Sequence, residues 1–368
     1  MPRSSHFERF KDHTLLKHFL LVAYLKRWGT ILFSGGIQRV WFVDAFAGAG
    51  SDATGNPGSP VLAAQVAEQL NGEVFSTGVT AETGMHVVAI ESDPDYYKAL
   101  QKSLETWTNM KPPYIHLRDG SLEERIDHFL NYVGDDPVLF FLDPFGIEGL
   151  SAELIKKALN GPRNEIFALF SDEGAVRLHG KATAKMPEVL DAIQEVLSNP
   201  SIFGEEDDAA RIAEAVEASE RVAAGHKSNP KALLILNRAF GGDWWQEIIR
   251  ETPANGRGKR FRELYEKLLL DSGAAFTVPF EVDTKTGRHK YWLIHASKHR
   301  RAFAAMKHAM HRTRTHRATD RGPISESLSA EFSSDTDVVA VADLLADHFA
   351  GRTLNWAPDT GDTVQGFA

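Results

Sequence analysis

The 368-residue sequence predicts an α/β protein with a doubly wound, mostly parallel sheet, a C-terminal antiparallel strand pair and a helical insertion. Three observations predict it. Short apolar runs alternate with helical patterns five times within the first half of the chain, as parallel strands joined by right-handed crossovers do. The first run, Trp41-Phe-Val-Asp44, opens directly into a glycine-rich turn. Two later strand-like runs, AAFTVPFEVD and HKYWLIHAS, are joined only by Thr284–Arg288, which suits an antiparallel hairpin.

Residues 14–33, TLLKHFLLVAYLKRWGTILF, carry apolar residues at helical spacing, with Asp12 or Thr14 as cap and Gly35 and Gly36 as terminators. WFVDAF (41–46) is a buried parallel strand. Ser59-Pro60 opens the helix PVLAAQVAEQL, with proline near its first turn, and residues 71–84 read as a loop. HVVAIE (86–91) is the second strand, followed by a helix that Ser92 or Asp93 caps. YIHLRDG (114–120) and SLEERIDHFLNYV form the third strand–helix pair, and PVLFFLD (137–143) and ELIKKALN the fourth. EIFALFS (165–171) is the fifth strand. From about 177 to 250 the pattern is polar and mostly helical; after the hairpin comes a basic helix, RRAFAAMKHAMH, and beyond 313 periodicity fades.

Composition narrows the class. Forty-three per cent apolar and 25% charged residues is an ordinary globular balance. No apolar run reaches the length of a membrane span, and MPRSSHFERFKDHT has no apolar core of a secretory signal, so a cytoplasmic protein is expected. With no cysteine, disulfides, zinc–thiolate sites and a self-contained iron–sulfur cluster are excluded. The 15 histidines are scattered without a ligand spacing, so no protein-bound metal is expected. The net charge of −9 is unevenly spread. Acids crowd Glu205–Glu220 and the tail, whereas Arg257, Lys259, Arg260 and Arg262 cluster, as do Arg288, Lys290, Lys298, Arg300 and Arg301. Solvated faces explain such clusters; a phosphate-binding surface is the sharper reading.

Four segments carry chemistry. In Asp44-Ala-Phe46-Ala-Gly48-Ala-Gly50 the glycines let backbone approach a ligand, and the acid meets its polar groups. Glu91, ending the second strand, is suited to accept both hydroxyls of a ribose. Asp119, with Gly120 and Ser121, follows the third strand, where a helix cap would sit, and where a resemblance to methyltransferases implies an acid against an adenine amino group. Asp143-Pro144-Phe145-Gly146 ends the fourth. The first motif is similar to motif I of S-adenosylmethionine-dependent methyltransferases, which implies a Rossmann-like class I methyltransferase fold with that cofactor. DPFG resembles the Asp/Asn-Pro-Pro-aromatic motif of amino-methyltransferases, which implies that Asp143, Pro144 and Phe145 orient an acceptor. It departs from that motif at Phe145 and Gly146. Asp172-Glu173-Gly174 reads as a loop at the same edge, and His6, Lys11, His13 and Thr14 as a flexible arm.

Taken together, KDHTLLKHFLLVAYLKRW, WFVDAFAGAGSDATGNPGSP, VVAIESDP, FFLDPFG and YWLIHASKHRRAFAAMKHAM resemble the three-Cys-motif partner protein family, TcmP, over roughly residues 6–310. The resemblance implies a methyltransferase-like protein working with a radical-type partner that bears three cysteines. The expected division is an N-terminal helical arm (1–36), a cofactor-binding core (37–176), a helical insertion or cap (177–256), a C-terminal completion of the core (257–312) and a mobile acidic tail (313–368) holding one short helix, VVAVADLLADHFA. The leading expectation is methyl transfer to nucleic acid or a nucleotide-like amino group, with Arg257, Lys259, Arg260, Arg288 and Lys298 on the substrate. A cofactor-binding adaptor and a small-molecule methyltransferase are the alternatives.

Overall fold

A computed structural model describes residues 12–75, 80–110, 113–182, 229–284 and 287–319. His6, Lys11, the acidic run Glu205–Glu220 and the helix expected at VVAVADLLADHFA lie outside these residues. Five strands run parallel: β1 (Arg39–Asp44), β2 (Gly84–Glu91), β3 (Ile115–Asp119), β4 (Val138–Leu142) and β5 (Glu165–Phe170). β6 (Phe276–Asp283) and β7 (His289–Ser297) form an antiparallel hairpin, and β7 also pairs antiparallel with β5. The sheet order is β3-β2-β1-β4-β5-β7-β6. Pro279 explains why β6 lies outermost, since a proline cannot donate to a ladder on both sides.

Helices cover both faces of this sheet. In chain order they are α1 (Asp12–Ser34), α2 (Ser59–Val74), α3 (Pro94–Ser103), α4 (Glu105–Thr108), α5 (Leu122–Val133), α6 (Ala152–Ala158), α7 (Asp172–Ala182), α8 (Pro230–Phe240), α9 (Trp245–Glu251), α10 (Arg257–Asp271) and α11 (Arg300–Thr319). α1 packs against α2 and α11 on one face, while α5 to α10 build the other. Strand alternation decides which residues meet which layer. Trp41, Val43, Phe140, Ile166 and Phe170 face the α5–α10 layer. Phe42, Phe141 and Phe167, stacked in sequence across the sheet, occupy the opposite parity. Asp44, Asp143 and Glu165 share that second parity and so belong to the α1 face.

Several element limits differ from the sequence reading. α2 continues to Val74, so residues 71–74 are helical. α7 begins immediately at Asp172, so Asp172-Glu173-Gly174 is a helix first turn, where the macrodipole favours acids, and not a loop. α11 runs to Thr319, past the fading of periodicity at 313, and residues 320–368 lie outside the described ones. α8 and α9, expected within an insertion or cap, are part of the layer on the sheet: Phe240, Trp245 and Phe261 are fully buried and in ring contact. Among the described residues no helix is long and apolar enough to cross a membrane.

Candidate active site

β1 to β4 deliver Asp44, Glu91, Asp119 and Asp143 to one edge of the sheet, because each acid ends or follows the carboxyl end of a parallel strand. The connections run outward to β2 and β3, then return to β4 on the other side of β1, which opens a crevice at the switch between β1 and β4. The turn after β1 is drawn toward β2: Gly48 N donates to Glu91 Oε2 at 2.8 Å and Asp93 N donates to Glu91 Oε1 at 2.7 Å. Gly50 must be glycine, since its φ is +81° and a Cβ there would lie 2.7 Å from Ser103 Cβ. Beyond it, buried Asp52 accepts four hydrogen bonds from Thr54 and Asn56 and closes the loop on itself. The glycine turn and Glu91 are therefore one unit. Each Glu91 oxygen holds a second lone pair for a ligand hydroxyl.

Asp119 is more loosely engaged. Its side chain is 77% exposed and bridges to Arg125 at 2.7 Å. The cap of α5 is Ser121, in a capping box with Glu124, so Asp119 is not needed for that task.

α1 supplies a group that the sequence reading missed. Lys17 reaches across the α1 face and ion-pairs with Asp143, both side chains being mostly buried. Asp44 beside them is wholly buried: Oδ1 accepts the Phe46 N–H at 3.3 Å, and Oδ2 accepts no hydrogen bond from the described residues. Burial pushes the Asp44 carboxyl up to about 7; the Ser59 hydroxyl and Lys17 oppose this, and Asp143 adds to it. His18, the next residue on α1, is held neutral, its pKa brought down to about 3 by burial and then by Lys17, against a smaller pull from Asp52. Tyr291 of β7 is also buried, and burial, then Asp143, raises its pKa well above the ordinary tyrosine value. Nothing local marks Lys17 as a site residue, since its partner lies 126 positions away.

The DPFG turn is equally occupied. Pro144 O accepts the Gly146 N–H at 2.9 Å, and Gly146 has φ +99°. Phe46 ties this turn to the first motif: a Cβ on Gly149 would lie 2.3 Å from Phe46 Cζ and 2.8 Å from Pro144 Cβ. Gly149 thus makes room for Phe46, a constraint absent from the sequence reading. Phe145 projects outward, 67% exposed. Lys17 takes one acceptor site of the Asp143 carboxylate and the Gly146 N–H one of the two on Pro144 O, so both groups are partly engaged by the chain.

The basic residues divide. Arg257 donates to Thr252 O, Arg260 pairs with Glu263 at 3.0 Å, and Lys259 is exposed on the same helix. Arg262 pairs with Glu266 and stacks over Trp292. Arg288 lies 3.6 Å from Glu173, so it shares the carboxyl edge with the start of α10, where Gly258 abuts Asp172. Lys298 does not join them. It donates to Gly161 O at 2.8 Å, at the amino end of β5, because the intervening β7 runs antiparallel across the sheet.

Two more polar groups were not anticipated. Asp172 accepts from Trp292 Nε1 at 3.2 Å and bonds His289 Nε2 at 2.7 Å, while His289 Nδ1 lies 3.0 Å from Glu281 Oε1 and 4.0 Å from Asp283 Oδ1. Where no metal grouping was expected, Glu281, Asp283 and His289 bring their ligand atoms within 4.8 Å of one another on the hairpin. At the opposite edge, buried Glu165 accepts from Tyr24 Oη, from Trp28 Nε1 at 3.1 Å and bonds His295 Nε2 at 2.8 Å. A groove of about 560 Å³ beside β3, lined by residues including Gln101, Glu105 and His116, contains none of the site acids.

No protein-family model matches the chain, and no curated protein matches it. Solved structures similar to it include the O-methyltransferase from Bacillus cereus in complex with SAH, at 12% identity over 78% of this chain and 92% of that one, TM-score 0.34. The O-methyltransferase TomG from Streptomyces achromogenes, involved in tomaymycin synthesis and in complex with SAM, is 10% identical over 80% of this chain and 94% of that one, TM-score 0.34. The methyltransferase domain of bacterial CtHen1-C is 10% identical over 76% of this chain and the whole of that one, TM-score 0.33. At such values the fold class rests on the strand order and direction themselves, which are those of a Rossmann-like α/β sheet closed by an antiparallel hairpin.

Proposed function

We propose that the chain binds S-adenosylmethionine in the β1/β4 crevice and serves methyl transfer to a nucleotide-like group. The observation that carries this is the joining of the Gly48 N–H to the Glu91 carboxylate, with the buried, half-satisfied Asp44 next to it. That donor set fits the cofactor: a carboxylate for ribose hydroxyls, an orphaned buried acceptor for an ammonium, and a close-packed glycine turn beneath. The same fit, together with the Asp-x-Phe-x-Gly-x-Gly motif, supports Asp44, Phe46, Gly48, Gly50 and Glu91 as cofactor residues; Asp119 would meet the adenine amino group from its exposed position. The cofactor supplies an activated methyl group. The chain's own part is to position and to exclude water, with Asp143, Pro144 and Phe145 beside the acceptor.

Arg257, Lys259, Arg260 and Arg288 flank this edge and would meet phosphates, whereas Lys298 lies too far along β7 for the same task. The resemblance of the five segments to the three-Cys-motif partner family supports a protein acting with a cysteine-bearing partner. Isothermal titration with S-adenosylhomocysteine tests the reading: micromolar binding that Glu91→Ala weakens at least tenfold is expected. No binding below the millimolar range refutes it.

A second reading has its own support. Because Asp143 is engaged by Lys17 and Pro144 O by Gly146, the site also suits a cofactor-binding adaptor whose partner performs the chemistry. Asp143→Asn, which keeps an acceptor for Lys17, separates the two: an enzyme loses turnover while its fold is retained, and an adaptor keeps its function.

A further inference from the structure

We propose that the end of the β6–β7 hairpin holds a divalent transition-metal ion, bound by His289 Nδ1, Glu281 and Asp283, with Asp172 orienting the imidazole through Nε2. This goes beyond the cofactor reading and does not depend on it. Register places the three ligands. Glu281 lies opposite Trp292 and Val282 opposite Tyr291, but Asp283 lies opposite His289, so Lys290 is an extra residue on β7. Such a bulge re-aims side chains. Without it Lys290 would stand opposite Asp283; with it His289 takes that place, on the face that Glu281 and Asp283 share. The bulge thus exchanges an ammonium, which has no lone pair to offer, for a nitrogen that can coordinate. The ligand atoms of the three residues lie within 4.8 Å of one another.

The imidazole is oriented as a metal ligand is. Its Nε2 lies 2.7 Å from Oδ1 of Asp172, whose side chain is only 9% exposed and whose Oδ2 accepts from Trp292 Nε1. A carboxylate only accepts, so Nε2 carries the hydrogen and Nδ1 of the neutral ring presents its lone pair. Nδ1 is buried and makes no hydrogen bond. Glu281 Oε1 lies 3.0 Å from it but off the axis of the ring nitrogen, and Asp283 Oδ1 lies 4.0 Å away. Two ligands held about 2.0–2.2 Å from one ion at a right angle are themselves about 3 Å apart, each off the other's axis. A lone pair facing two carboxylates is unfavourable until a cation lies between them. One nitrogen with two oxygens suits a zinc- or cobalt-like ion over magnesium or calcium, which take oxygen ligands. Glu281 is 45% exposed, so the ion has an entry path and keeps an open position for water.

The test is titration of the full, chelator-stripped chain with zinc chloride and magnesium chloride by calorimetry, and with cobalt chloride by visible absorption. The chain has 15 histidines, so variants and not stoichiometry identify the site. Wild type is expected to bind Zn²⁺ at micromolar concentration, at least about tenfold more tightly than Mg²⁺. Glu281→Gln and His289→Gln should each weaken the tightest Zn²⁺ site at least about tenfold, and Asp172→Asn, which leaves all three ligands, should weaken it about ten- to a hundredfold. The Co²⁺ absorption band should shift or vanish in His289→Gln and persist in His128→Gln, a change at an exposed histidine elsewhere. Should His289→Gln or Asp172→Asn fold poorly, Glu281→Gln, at a part-exposed position of the outermost strand, carries the comparison alone. A wild type that binds no Zn²⁺ below the millimolar range overturns the proposal, as does unchanged Zn²⁺ affinity in folded Glu281→Gln. Either result would mean that His289 is held among the carboxylates as an imidazolium, with no metal.

Discussion

Acidification should destabilise this protein through His18, against an opposite contribution from the Asp44 carboxyl, whose folded pKa of about 7 lies above the ordinary one. His18 is buried on α1, and its folded pKa is about 3 against an ordinary 6.5. An unfolded chain therefore takes up a proton at this histidine below about pH 6.5, while the folded chain does not until about pH 3. Stability is fully present above pH 6.5 and falls as pH drops through that window. Each pH unit inside it costs ~1.4 kcal/mol, so moving from pH 7 to pH 5 removes about 2 kcal/mol through this one residue. His116, brought down to about 4 by burial and then by His86 and Arg118, shares the direction and the upper part of the window. The assay is urea denaturation at half-unit steps from pH 7.5 to 4.5, comparing wild type with His18→Gln. Whatever its offset at pH 7.5, the variant should show a slope shallower by the ~1.4 kcal/mol per pH unit of one proton. Parallel pH dependences in the two proteins would refute the reasoning, because they would mean that His18 titrates alike in both states.

Three other outcomes follow from single contacts. Gly149→Ala drives a Cβ to 2.3 Å from Phe46 Cζ and should cost about 1–3 kcal/mol by scanning calorimetry, with weaker S-adenosylhomocysteine binding because Phe46 must move; an unchanged melting temperature would contradict the close approach. Tyr24→Phe removes a donor from buried Glu165 and should cost about 1–3 kcal/mol in denaturant midpoint, against a negligible effect if Trp28 and His295 suffice. Asp119→Ala should change stability by less than about 0.5 kcal/mol, since its pair with Arg125 is solvent-exposed. Titration of that variant then reads the adenine role alone, and unaltered affinity removes Asp119 from the site.

Much of the architecture was legible because it is written locally. Each parallel strand announces itself as an apolar run meeting a turn, and the hairpin is short enough to be read directly. Even the outer place of β6 follows from Pro279. The glycine turn and Glu91 were also readable, and the structure joins them through the Gly48 N–H. Lys17 was not readable. It sits in an amphipathic helix like any lysine, and only the passage of α1 over β4 gives it Asp143. Lys298 shows the reverse error: ten positions from Arg288, it was grouped with it, but an extended strand of nine residues spans roughly 30 Å and sends the two to opposite edges.

By itself the sequence determined the strands, their parallel connection and the acids at their carboxyl ends, since strand alternation, crossover handedness and turn chemistry act over a few residues. Tertiary structure alone decided how those acids are used. It bound Asp143 to Lys17, left Asp44 buried with an unfilled acceptor, and packed Phe46 into the space Gly149 leaves open. Partnership between charges depends on distance and desolvation, and both are properties of packing across the sheet that no stretch of neighbouring residues contains.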